Sequence, residues 1–159
     1  MTTQDSLRVA LLTLAITFAA GLLFVNVYNS VVDVPNWSSS IQAARAYFES
    51  ATPGTFFRVA SPVNQGIALV ALILCWRVDS SLRYWCLAGL GLAVAGDMLT
   101  MSYFYPRNAI LFQGSATDGD AVRQALSQWA TMNWVRSVGV GLNVLVNFGA
   151  LIRYMGMRA

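Results

Sequence analysis

Asp97 and Arg136 each stand inside a stretch otherwise apolar enough to cross a bilayer. A charge in that setting is unfavourable by at least about 2.5–3.5 kcal/mol on insertion scales, and by default it marks a functional position. The chemistry open to the two is proton transfer by the carboxylate and stabilisation of a developing oxyanion by the guanidinium. Polar neighbours could complete such a site. Trp129, Asn133, Arg136, Val140, Asn143 and Asn147 follow one another at spacings of 4, 3, 4, 3 and 4, which places all six on one helix face. Gly89, Ala93, Asp97 and Thr100 form a second stripe, whose small residues let helices approach closely. Asn26, Asn29 and Asp33 share a face of an earlier segment, and Asn64 and Gln65 open another. Asp97 lies about 12 Å, eight residues, below Tyr105. Arg136 lies in the first turns of its own span, at similar depth. The two are expected to pair directly or to join in one network through Asn26, Asn64 or Asn133.

Missing residues exclude other chemistries. With no His, His-ligated haem, zinc and copper sites are out. With no Lys, so is a Schiff base. Cys75 and Cys86 cannot build a four-cysteine metal site and do not form C-x-x-C; they read as reduced thiols filling apolar space. No cofactor and no metal is expected. All ten basic residues are Arg, scattered singly, which gives a net charge of +3 without the basic run a nucleic acid would need.

The elements that must position these residues are membrane helices. The 159 residues are 57% hydrophobic and 11% charged, against about 25% charged in soluble domains. Four stretches reach the roughly 20 residues that a bilayer requires. The spans are expected at about 7–32, 56–76, 82–105 and 121–155, forming one all-α domain over 1–159. Pro106 should stop the third. The helical pattern of the fourth reaches back to Asp120, so that helix should project well beyond the bilayer. The first segment lacks a convincing small-residue cleavage site after its apolar core and reads as a retained span. Between the first two spans, Ile41, Ala44 and Phe48 recur at helical spacing after serine caps. They predict a short amphipathic helix on the outer face, ended by Thr52-Pro53-Gly54. A second outer connection, from Arg107 to Gly119, carries Asn108 and Gln113. The short basic hairpin Arg77–Arg83, flanked by Trp76 and Trp85, predicts a cytoplasmic turn and hence both termini inside, in the plasma or inner membrane. Trp37, Trp76, Trp85 and Tyr154 read as interfacial anchors.

The order Pro106-Arg107-Asn108 after the third span, then Trp129-x-x-x-Asn133-x-x-Arg136 opening the fourth, resembles the anthrone-oxygenase-like family of small four-helix membrane proteins. The Val34-Pro35 step at the end of the first helix is also similar. The resemblance covers the whole chain in length and helix count. It implies a four-helix membrane bundle. For some members it implies oxidation of an anthrone to an anthraquinone by O₂, without a metal or flavin. Acting members often carry a His in the polar constellation, so base catalysis by imidazole is out of reach here.

The leading expectation is a membrane protein whose intramembrane polar cluster near the outer side binds a lipid or a small apolar or aromatic molecule. The alternative is a cofactor-independent oxygenase of an anthrone-like substrate, with Asp97 accepting the proton and Arg136, Asn133 and Asn108 holding the enolate. In both, Asn26, Asn64, Asn108, Trp129, Asn133 and Asn143 are the candidate ligand contacts. A third reading makes the polar residues plain helix glue, each bond contributing about 0.6 kcal/mol. Membrane lipid is the expected partner, with no nucleic acid, and the oligomeric state stays open.

Overall fold

The computed structural model describes residues 2–51, 53–112 and 119–158. These residues are all-helical or turn, with no strand among them. Helix α1 runs from Thr3 to Trp37, α2 from Ile41 to Ala51, α3 from Pro53 to Cys75, α4 from Ser80 to Phe112 and α5 from Gly119 to Gly156. Apart from α2, each is long and apolar enough to cross a bilayer, and the protein is an integral membrane protein. Around the bundle α1 packs on α3, α3 on α4, α4 on α5 and α5 on α1.

One end of the bundle is tied by charges. Asp5 closes a capping box with Thr2 at the start of α1 and accepts from the Tyr154 hydroxyl at 2.8 Å and from Arg158 at 2.6 Å. Arg8 Nε donates to the Leu74 carbonyl at 3.0 Å. The short turn Trp76–Asp79 joins α3 to α4 at this same hairpin end, which fixes an up-down-up-down course. Asp79 caps α4 by accepting from the Leu82 amide at 3.0 Å, and it also accepts from the Arg153 guanidinium at 3.2 Å. The amide first and Arg153 second hold its carboxyl below the ordinary 3.8. A depressed folded-state value means the contribution is complete above 3.8 and fades as pH falls through the folded value. Asp79→Asn should therefore lower the unfolding midpoint at neutral pH, while variant and wild type converge in acid. A gap that stays constant with pH would show that the charge is idle.

The packing has three layers. At the hairpin end Leu12, Leu72, Cys75, Leu82, Cys86 and Tyr154 form an apolar cluster, with both cysteines as free thiols. At the opposite, capped end Val34, Trp37, Ala44, Phe104, Leu111 and Trp129 form another. Between them lie buried amides: Asn26, Asn64, Asn133, Asn143 and Asn147. In the middle layer α4 and α5 touch where a Cβ on Gly89 would stand 2.8 Å from Asn147 Oδ1, so a larger residue there would have to displace the Asn147 side chain.

Helices run longer than expected at the capped end. Neither Val34-Pro35 nor Pro106 ends its helix. Each proline is preceded by a widened, π-helical stretch, Asn29–Asp33 in α1 and Thr100–Phe104 in α4. A proline ring inside an α-helix collides with the carbonyl four residues back. Here those residues are Val31 and Ser102, each in the middle of its widened stretch. The helix therefore continues to Trp37 in one case and to Phe112 in the other. Asn108 consequently lies on a helix and not in an open connection, whereas Gln113 and Thr52 lie outside the described residues. Pro53 and Gly54 open α3. At about 1.5 Å per residue, the 38 residues of α5 span about 57 Å, nearly twice the about 30 Å hydrocarbon core. At the capped end α2 rests on the ends of α1 and α4, with Ala44 buried and Phe48 stacked on Phe112.

Candidate functional site

Under α2 lies a cavity of about 260 Å³. Six aromatic side chains contribute to its wall: Trp37 from α1, Phe48 from α2, Phe57 from α3, Phe104 and Tyr105 from α4, and Trp129 from α5. The rings support one another edge to face, with Trp37 and Phe104 at 5.4 and 5.3 Å from Trp129. Tyr47 stacks on Trp37 at 6.5 Å. Burial first, and then the Asp33 carboxylate that its hydroxyl meets, push the Tyr47 phenol up, so it stays a neutral donor tying α2 to α1. Met101, Tyr105 and Arg58 on the rim are exposed, so the cavity opens between α3 and α4.

Asp97 and Arg136 both face this cavity. They do not form the direct pair that the sequence leaves open: among the described residues no ion pair within 4 Å joins them. Gln65 on α3 donates to Asp97 Oδ2 at 2.6 Å. Arg136 turns instead onto the faces of Phe104 and Phe57, at 4.4 and 5.2 Å, and donates to Asn133 Oδ1 at 2.5 Å. Asn133 is fully buried and in turn donates to Ser30 Oγ at 2.6 Å and to the Asn26 carbonyl at 3.2 Å. One network thus runs from α1 through Asn133 to Arg136, and a second contact holds Asp97 to α3. The two charges meet across shared space.

A smaller polar annex of about 40 Å³ continues beneath, lined by Asn26, Asn64, Asp97, Arg136 and Asn143. Asn26 Oδ1 and Arg136 Nε are buried without a hydrogen-bond partner among the described residues. A water needs about 10–15 Å³ of such space, so the annex has room for about three, enough to satisfy both atoms.

Each residue singled out by the sequence can now be placed. Asp97, Arg136, Asn108 and Trp129 line the larger cavity; Asn26, Asn64 and Asn143 line the annex. Asn133 lines neither and acts by holding Arg136. Trp129 Nε1 donates to Asn108 Oδ1 at 2.8 Å, which joins α4 to α5 at the cavity wall. Asn147 donates to the Asn143 carbonyl and Oδ1 within its own helix, and it lies close to Gly89 across the bundle. Several residues with a part in the site are not singled out by spacing, among them Phe57, Arg58, Phe104, Gln65 and Trp37. Gln65 was noted only as opening the second span, since nothing in its spacing pointed to Asp97. Trp37 read as an interfacial anchor, yet it is buried, lines the cavity and has an indole Nε1 without a partner among the described residues. Its place just after the Asn29–Asp33 and Pro35 irregularity was the available signal.

A buried cation, a carboxylate and an unused indole donor thus converge on an aromatic slot. Its volume falls just under the about 300–1,000 Å³ of ordinary ligand pockets, which sets a small, flat occupant. Among known families, the one described as anthrone oxygenase matches residues 55–146. That match includes Asp97, Asn108, Trp129, Asn133 and Arg136. No curated protein and no solved structure matches the chain.

Proposed function

The chain belongs to the anthrone oxygenase family, and from that premise we propose that it draws a planar hydroxy-aromatic from the bilayer into the capped-end cavity and oxidises it with O₂. One observation carries the reading: Asp97 and Arg136 are both presented to a cavity with six aromatic side chains in its wall, without neutralising each other by direct contact. The opening beside Met101 and Tyr105, between two membrane helices, suits a substrate that arrives through lipid.

The chemistry follows from the charges. A ring methylene flanked by aromatic rings gives its proton to Asp97. The electron pair left behind spreads onto the conjugated oxygen, and Arg136 stabilises that oxyanion. The electron-rich carbon adds O₂, and the resulting hydroperoxide loses water. The balance is CH₂ plus O₂ to C=O plus H₂O. Trp37 and Trp129, packed edge to face on each other, form one wall for the ring, and water in the annex would carry the proton away from Asp97.

Reconstituted protein supplied with an anthrone should bind it saturably, consume one O₂ per molecule and form the ketone. Saturable binding without O₂ uptake would overturn catalysis and leave a membrane protein that holds an aromatic ligand. Failure to bind would leave the polar residues as helix glue.

The cavity faces away from the cytoplasm, and both termini face it. The support is the short basic hairpin Arg77–Arg83 and a small excess of arginine at that end, where Arg8, Arg77, Arg83, Arg153 and Arg158 stand against Arg45, Arg58, Arg107 and Arg123 at the capped end. A reporter active only outside the cytoplasm should stay silent when fused after residue 159, and a bright signal would invert the assignment.

A further inference from the structure

The charge on the cavity wall is unbalanced. Arg58, Arg136 and Asp97 face it, which leaves one cation in excess. Arg136 belongs to the reacting end, where it packs on Phe104 and Phe57. Arg58 does not. It sits on α3 seven residues before Gln65, the residue whose amide touches Asp97. Seven residues of helix put Arg58 about 10 Å nearer the capped end than Asp97. It is exposed at the cavity mouth, and among the described residues it makes no hydrogen bond and no ion pair. A long, free guanidinium at the rim of a flat slot is a geometry for reading a carboxylate.

We infer that the ligand carries an acidic group at the end opposite its phenolic oxygen, and that Arg58 is the residue that selects it. This rests on the reading of the cavity given above and adds the substrate's second polar end. The flat body lies against the wall made by Trp37, Trp129 and Phe57, the phenolic oxygen reaches Arg136, and the carboxylate stays at the mouth, half in solvent. A carboxylate there also explains how an amphiphile would be oriented on entry: its apolar body passes in first. The same guanidinium could instead meet the acidic headgroup of a neighbouring lipid, so the test separates these two sources of one chemistry.

The probes are 6-hydroxy-2-naphthoic acid and 2-naphthol, titrated by fluorescence against the full-length protein in phosphatidylcholine nanodiscs. Affinities are compared as variant-to-wild-type ratios, which cancels partition of each probe into lipid. Arg58→Gln should weaken the acid about ten-fold, equivalent to about 1.4 kcal/mol, and leave 2-naphthol unchanged. Arg58→Lys should restore part of the loss. Arg58 is exposed, so the melting temperature of Arg58→Gln should match wild type. Equal effects on both probes, or none on either, would overturn the inference. So would loss of the difference between wild type and Arg58→Gln for the acid when phosphatidylglycerol replaces phosphatidylcholine, because a lipid headgroup would then be the occupant. If wild type binds neither probe, the ligand reading beneath it falls as well.

Discussion

Arg136→Leu will lower oxygenation turnover by about 10²–10³-fold and leave the fold nearly as stable as wild type. The rate loss is the usual effect of removing one oxyanion donor from a water-poor site. Stability should barely move because two effects oppose each other. The variant frees the bundle of a cation whose Nε finds no partner among the described residues, set in a span where charge is unfavourable. Leucine also packs well on Phe104 and Phe57. Against this, Asn133 Oδ1 loses its donor. Asp97 keeps its bond from Gln65. Oxygen-electrode rates and detergent melting curves on the same preparation separate the two effects. Turnover within ten-fold of wild type would remove Arg136 from the chemistry. Asp97→Asn should show a similar loss, with binding retained.

Asn133→Leu will have the largest structural effect of any single substitution in the middle layer, about 3–4 kcal/mol. The side chain accepts from a charged donor, a bond of about 1.5–3 kcal/mol. It also makes two neutral bonds to α1, each about 0.6 kcal/mol inside a membrane. Replacing it strands Arg136, Ser30 and the Asn26 carbonyl at once, in a place with no exposure to solvent. Asn147→Ala is the control, because the Asn147 bonds lie within α5 and join no second helix; it should change stability by about 1 kcal/mol or less. Unfolding in mixed detergent measures both. If the two variants unfold together, Asn133 does not carry the α1–α5 joint.

Membrane character, the number of spans, the α2 helix and the polar face of α5 were all legible, because each depends on local periodicity. The Trp129 and Asn133–Arg136 pattern was legible as a motif, and the structure gives it physical content: Trp129 bonds Asn108, and Asn133 bonds Arg136. What stayed hidden depended on geometry between helices. Nothing in the sequence favours Gln65 over its neighbour Asn64 as the partner of Asp97; only the rotation of α3 decides it. Asp97 and Arg136 did reach shared space, but depth arithmetic could not foresee that Phe104 and Phe57 would draw the guanidinium aside. Proline misled the reading of helix ends, because a helix can widen by one residue and pass it.

Those two widened turns give the protein an unusual sensitivity to the length of its gene rather than to its letters. Each residue advances an α-helix by about 100°. Losing one codon from 29–32 or from 100–104 would remove the extra residue of the widened turn and swing everything beyond it by about that angle. The first loss would turn Trp37 away from Trp129; the second would do the same to Asn108. All four spans, the hairpin end and every charge would remain, yet the aromatic slot would be gone. A one-codon gap could therefore silence a gene whose product still inserts in the membrane and folds, and a scan for altered residues in the cavity would find nothing wrong.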